Sequence, residues 1–255
     1  AVSIWVPGPS GPMTYHATAL QESFLAAPET GDHTGDDGDD WFPYETSSWF
    51  FLTAVDVLAP ADTRVLVGAG SSSVDGSITT PGNNDRFLNW MSRRLHAAYG
   101  QHVSVVNEGI GGDTAAPPTQ PGDIRPLPQV LPERFERDIL GVSGVTDVLF
   151  YAGTNDFGFH ISPDRSIASL RNMVATLRAR GIHAIGATLI TNVGQAGTTA
   201  ATYAAHDQIN RFILAPGSFD GVADFYDATR DPANADPLTT VLQLKYATHS
   251  DPNGT

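Results

Sequence analysis

Cysteine is absent from the 255 residues. That excludes disulfides, thiolate-bound zinc and a cysteine nucleophile together. Lysine is almost absent. Lys245 is the single one, so arginine supplies the rest of the 14 cations, set against 28 acidic residues for a net charge of −14. Nucleic-acid backbones need a cationic face, so no nucleic-acid partner is expected. No apolar run approaches the roughly 18 residues of a membrane span. No His-x-x-x-His or His-Glu pairing offers a zinc site. Charged residues are 16% and apolar residues 41%, which excludes a disordered polyelectrolyte. No signal peptide is evident; the opening Ala1–Val6 reads as the middle of a strand.

What is present divides in two. Residues 1–60 are rich in Pro, Gly, Thr and aromatics, and they lack a helical period. Apolar runs at Val2–Val6, Tyr15–Leu20 and Trp49–Val57 are expected as strands of a small β segment. Between them, residues 31–40 crowd aspartates into a surface loop, either solvated or a cation site, without EF-hand spacing. Residues 61–255 alternate strand and helix. Strands are expected at Arg64–Gly68, Val103–Val106, Thr146–Tyr151, His183–Ile190 and Val222–Tyr226. Helices are expected at Asp85–Tyr99, Val130–Leu140, Ser166–Arg180 and Ala200–Leu214, the first and third with an apolar stripe at 3.6-residue spacing. That order predicts an α/β fold: a three-layer α/β/α sandwich around a parallel sheet of about five strands. The Pro-rich stretch Ala115–Pro132 is expected as a long functional or mobile loop.

In an open α/β sheet, ligands bind beyond the carboxyl ends of the strands. Three clusters follow three successive strands there: Gly70-Ser71-Ser72-Ser73-Val74-Asp75-Gly76, Asn107-Glu108-Gly109 and Gly153-Thr154-Asn155-Asp156. Each alone is ordinary turn chemistry. Together, in order, they resemble the blocks of the SGNH, or GDSL-type, serine hydrolase superfamily. The first block is similar to Gly-Asp-Ser-x-x-x-Gly and places the nucleophile at Ser72. The second matches at Asn107 and Gly109, the third at Gly153, Asn155 and Asp156. Trp49–Val57 also resembles the lead-in of secreted actinobacterial members.

The resemblance implies a secreted bacterial enzyme that hydrolyses carboxylic esters, either of an acylated carbohydrate or of a lipid-like alcohol, through an acyl-enzyme. It implies no cofactor and no metal. Ser72 would attack, and an oxyanion hole would form from the Ser72 N–H, the Gly109 N–H and the Asn155 side chain. Such donors typically contribute about 2.7–4 kcal/mol each to the transition state. The chain departs from the family twice. Ser71 stands where the family has aspartate. The closing Asp-x-x-His is replaced by Thr248-His249-Ser250-Asp251-Pro252, so His249 and Asp251 are both present but out of register. Three readings follow. His249 acts as base with Asp251 orienting it; or carboxylates among Asp75, Glu108, Asp156 and Asp251 do glycosidase or lyase chemistry; or the chain is a non-catalytic carbohydrate-binding relic. Other histidines rank lower: His160 is a lesser candidate for lining the cleft, and His206 is expected to be a packing or surface residue.

Overall fold

A computed structural model of the chain describes residues 2–38, 40–190 and 199–229. Two compact units emerge. The first comprises the described residues up to Val57 together with Thr79–Asp85; the second comprises Leu58–Ile78 and the described residues from Arg86 onward.

In the first unit, β1 (Tyr15–His16) pairs antiparallel with β4 (Trp49–Phe50), and β2 (Ser23–Leu25) with β3 (Tyr44–Thr46). These strands are shorter than the apolar runs. Leu20 and Phe51 adopt left-handed backbone at φ 55° and 63°, which breaks an extended run. Val2–Val6 forms no strand and is exposed. In the aspartate loop, His33 stacks on Trp41 at 4.1 Å and contacts Asp36 at 2.7 Å. Among the described residues no group of acidic and histidine side chains gathers as a metal site.

The second unit is a five-stranded parallel sheet in the order β6-β5-β7-β8-β9: β5 (Arg64–Gly70), β6 (Val103–Gly109), β7 (Val145–Tyr151), β8 (His183–Ala187) and β9 (Gly221–Ala223). Helices α1 (Ser72–Asp75), α2 (Phe87–Tyr99), α3 (Leu131–Arg134), α4 (Pro163–Ala179), α5 (Ala200–Leu214) and α6 (Phe225–Thr229) flank it, giving three layers. Strand β7 is buried from Asp147 to Tyr151, as a strand covered on both faces must be. The core lies between sheet and helices and includes Val67, Phe150, Leu170, Leu177, Ile209 and Ile213.

Three expected elements differ, the first being the strand expected over His183–Ile190, which ends at Ala187. The helix expected over Val130–Leu140 is four residues of α3 followed by one wide π turn at Phe135–Ile139. The strand expected over Val222–Tyr226 stops at Ala223, because the Asp224 carboxylate accepts from the Asp227 N–H and starts α6. Among the described residues, no helix is long and apolar enough to cross a membrane.

The chain enters this sheet at β5, steps out to the edge strand β6, then crosses back to β7. The strand order therefore reverses around β5, and the carboxyl ends of β6, β5 and β7 meet at a topological switch point. Crevices at such points are where α/β sheets bind ligands.

Candidate active site

Ser72 is the first residue of α1, directly beyond β5. Gly70 pairs with Gly109 across to β6 and with Tyr151 across to β7, so the turn carrying Ser72 starts level with both neighbouring strand ends. A Cβ at Gly70 would stand 2.1 Å from the Tyr151 carbonyl oxygen, which only glycine tolerates. The Ser71 backbone oxygen accepts from the N–H groups of Val74 and Asp75 and closes the turn. Ser71, where the family has aspartate, is buried; Ser72 and Ser73 are half-buried.

Gly109 ends β6 against the same turn. A Cβ there would lie 2.2 Å from the Asp75 nitrogen, so the glycine is required by close approach to α1. Its N–H, expected in the oxyanion hole, donates instead to Asn107 Oδ1 at 2.9 Å. Asn107 Nδ2 in turn donates to the Val74 carbonyl at 2.8 Å. Asn107 is thus a bracket between β6 and the Ser72 turn, a role that the sequence pattern marked only as a match. Further along, Gly112 has φ 82°, open space where a Cβ would sit, and no hydrogen bond to its N–H among the described residues.

Asn155 lies four residues beyond β7, at the start of a 3₁₀ turn over Asp156–Phe159. Its Nδ2 donates to the Asp113 carbonyl at 2.8 Å, tying the third cluster to the second. Asp156, one of the carboxylates considered for acid–base work, is fully buried. It accepts from the Ala115 and Ala116 N–H groups and from Ser166 Oγ at 2.9, 3.2 and 2.6 Å. Burial pushes its pKa up to about 6 against these bonds. Asp156 is occupied in holding the start of the Pro-rich loop to α4. That loop is fastened elsewhere too, by Arg165 to Asp123 and to the Pro117 carbonyl, and by the Ile124 N–H to Phe159 O.

Beneath the second cluster lies a buried ion pair. Arg134 Nε and one terminal nitrogen reach Asp113 Oδ2 at 3.0 and 2.7 Å, and the same terminal nitrogen donates to the Glu108 carbonyl at 2.8 Å. Asp113 Oδ1 accepts from the Leu131 and Thr114 N–H groups. Burial raises the Asp113 carboxyl above its ordinary value, against the pull of Arg134.

The Glu108 carboxyl is driven from an ordinary 4.5 to about 7, first by burial and then by Asp138. A folded-state pKa above the unfolded one means that the folded protein prefers the protonated form. This contribution is full below about pH 4.5 and is lost as pH rises through 7. Replacing Glu108 with glutamine keeps the neutral shape at every pH. The melting temperature of wild type should therefore fall relative to Glu108→Gln between about pH 5 and 8. Parallel pH profiles for the two proteins would show that the carboxyl titrates normally.

The histidines divide by environment. His160 is exposed, at φ 66°, with Nδ1 bonded to Gly122 O at 3.0 Å. His206 on α5 is buried, with its ring 4.9 Å from that of Phe157. Among the described residues neither of its ring nitrogens has a hydrogen-bond partner of good geometry, although the Thr154 backbone is nearby. Burial pushes its pKa down to about 4, so it is a neutral packing residue at pH 7. His249 and Asp251 lie outside the described residues.

Gly109 thus packs against the turn that carries Ser72, and Asn155 is tied through Asp113 to the segment that follows Gly109. The chain shares its fold with known proteins. No curated protein sequence matches it. AlinE4, described as an SGNH-hydrolase family esterase, is 16% identical, with 62% of this chain and 82% of that one covered and a TM-score of 0.42. A variant of an acetyl xylan esterase from Geobacillus stearothermophilus is 20% identical, with coverages of 60% and 71% and a TM-score of 0.43. A third solved structure, 14% identical with coverages of 71% and 91%, shares the fold at a TM-score of 0.51. The family model of the GDSL-like lipases/acylhydrolases matches residues 69–244, more than half of the sequence and all three clusters, and the chain belongs to that family.

Proposed function

We propose that the chain hydrolyses carboxylic esters with Ser72 as nucleophile, through an acyl-enzyme. The observation that carries this reading is the position of Ser72 on the turn beyond the central strand of the switch point, with Asn155 beyond the adjacent strand. A serine hydroxyl attacks only when a base takes its proton. His249 is the proposed base and Asp251 its orienting carboxylate, because an imidazole near pKa 6.5 is neutral and basic at pH 7 while an ordinary carboxylate is a weak base there. Charge that develops on the ester carbonyl would be met by the Ser72 N–H, the Asn155 amide and a glycine N–H. Gly109 serves if Asn107 releases its N–H on substrate binding. Gly112, whose N–H has no described acceptor, is the alternative donor in the same segment.

The substrate is proposed to be an acylated carbohydrate or a lipid-like ester, and the enzyme to work outside a bacterial cell. Both rest on the family resemblance. Of the carboxylates considered for acid–base work, Asp156 is removed, because its three donors close it off.

The pH–rate profile on a short-chain aryl ester tests the base. Activity should rise through about pH 6–7, and His249→Ala should abolish that limb. An unchanged profile in His249→Ala removes the histidine and returns the choice to carboxylates. Asn155→Ala tests the hole. In the free protein Asn155 holds Asp113 O, so its loss costs some stability. As a transition-state donor, its loss should also lower kcat about 10²–10³-fold with little change in KM. Lower stability with kcat intact would leave it a loop anchor only.

A further inference from the structure

The turn carrying Ser72 is one helical turn, which has no stability of its own in water. Its position is set by the side chains that hold it. Asn107 Nδ2 donates to Val74 O, and Arg86 Nε donates to Asp75 O at 2.5 Å. Both act at the end of the turn away from Ser72. The third contact is next to the nucleophile. The Tyr151 phenol is hydrogen-bonded to the Ser73 side chain, and its oxygen accepts from the Ile190 N–H.

Tyr151 is built for a fixed position. It is the last residue of β7, and its backbone oxygen abuts Gly70 at the start of the turn. Only 6% of it is exposed. Its ring meets those of Phe87 and Phe225 edge-on, with centroids at 6.3 and 5.3 Å and interplanar angles of 87° and 84°. A buried phenol that lost its polar partners would pay their desolvation, so the two hydrogen bonds select one orientation. Burial also pushes its pKa up to about 12, so it stays a neutral phenol and is no base at working pH.

We propose that Tyr151 is a positioning residue for the nucleophile: by linking Ser73 to the backbone beyond β8, it fixes the turn so that Ser72 Oγ points at the ester carbon. The inference rests on the reading of Ser72 as nucleophile. Attack needs the reacting atoms aligned, and small displacements of the nucleophile are costly in rate.

Tyr151→Phe removes one oxygen and keeps the ring. On a short-chain aryl ester its kcat should fall about tenfold, with KM changed less than about twofold. Inactivation by a serine-directed phosphonate should slow by the same factor. Ser73→Ala deletes the other end of the same bond and should give the same loss, while the double variant should lose no more than either single one. A merely structural role would lower the melting temperature without moving kcat or the phosphonate rate. Wild-type values of both in the two single variants overturn the proposal, as do losses that multiply in the double variant. Should Tyr151→Phe fail to fold, Ser73→Ala decides alone: wild-type kcat sinks the idea, and a tenfold loss at constant KM supports it. Ser72→Ala separates the two levels. If it keeps full turnover, the nucleophile reading falls and the positioning role with it. If it is dead while Tyr151→Phe and Ser73→Ala are unimpaired, only the positioning role falls.

Discussion

Ser72→Ala is expected to lower ester hydrolysis by about six orders of magnitude, the usual cost of deleting a serine nucleophile that works with a base. The fold should survive, since the half-buried hydroxyl is one atom on a turn whose backbone bonds come from Ser71 O and Ser72 O. Its neighbours provide the controls. Ser71 is 4% exposed and cannot meet a substrate without opening the turn, so Ser71→Ala should keep turnover within about an order of magnitude. Ser73→Ala should lose about tenfold, through Tyr151 alone. A phosphonate should label the peptide that contains Ser72 and no other. Wild-type rates in Ser72→Ala, with collapse in Ser71→Ala, would show that the register of the first block is off by one.

Arg134→Ala should be the most destabilising single change in the second unit, by about 3–5 kcal/mol. Arg134 and Asp113 side chains are each 1% exposed, so removal of the guanidinium leaves a carboxylate in the interior with only the Leu131 and Thr114 N–H groups for support. The Glu108 carbonyl loses its donor as well. Thermal or denaturant unfolding measures the loss. A melting temperature within a degree or two of wild type would mean that water reaches Asp113 and that the pair is not closed. Replacing both partners with apolar residues of similar volume should restore much of the stability, because the cost lies in the orphaned charge.

The parallel sheet was legible because its strands are short apolar runs, the first three followed by small residues, with stripes of apolar residues at helical spacing over Asp85–Tyr99 and Ser166–Arg180 between them. The three clusters were legible because their residue types are unusual as turns when taken in sequence. What was hidden depends on contacts across long separations. Nothing near Asn107 announces that it will bracket Val74. Asp156 looks like an open carboxylate in Gly153-Thr154-Asn155-Asp156, yet three donors from two other segments close it off. Arg134 sits in an ordinary helical stretch, and nothing there announces its buried pairing with Asp113 twenty-one positions earlier. The β segment was the least legible, since aromatic runs set strand propensity but not where a left-handed residue such as Leu20 or Phe51 will end the ladder.

The holders of the Ser72 turn come from far along the chain. Asn107 lies 33 residues from Val74, and the strand that carries Tyr151 registers with β5 through an Arg64–Asp147 contact spanning 83 residues. Long-range pairing of this kind is slow to form, because the entropy of closing large loops is spent before the contacts repay it. The turn that carries Ser72, the proposed nucleophile, is therefore assembled late. During synthesis or refolding, the chain can hold its helices and a partial sheet while Ser72 is still unaligned. On the proposed function, the chain stays silent toward the esters of its own surroundings until β5, β6 and β7 have all docked.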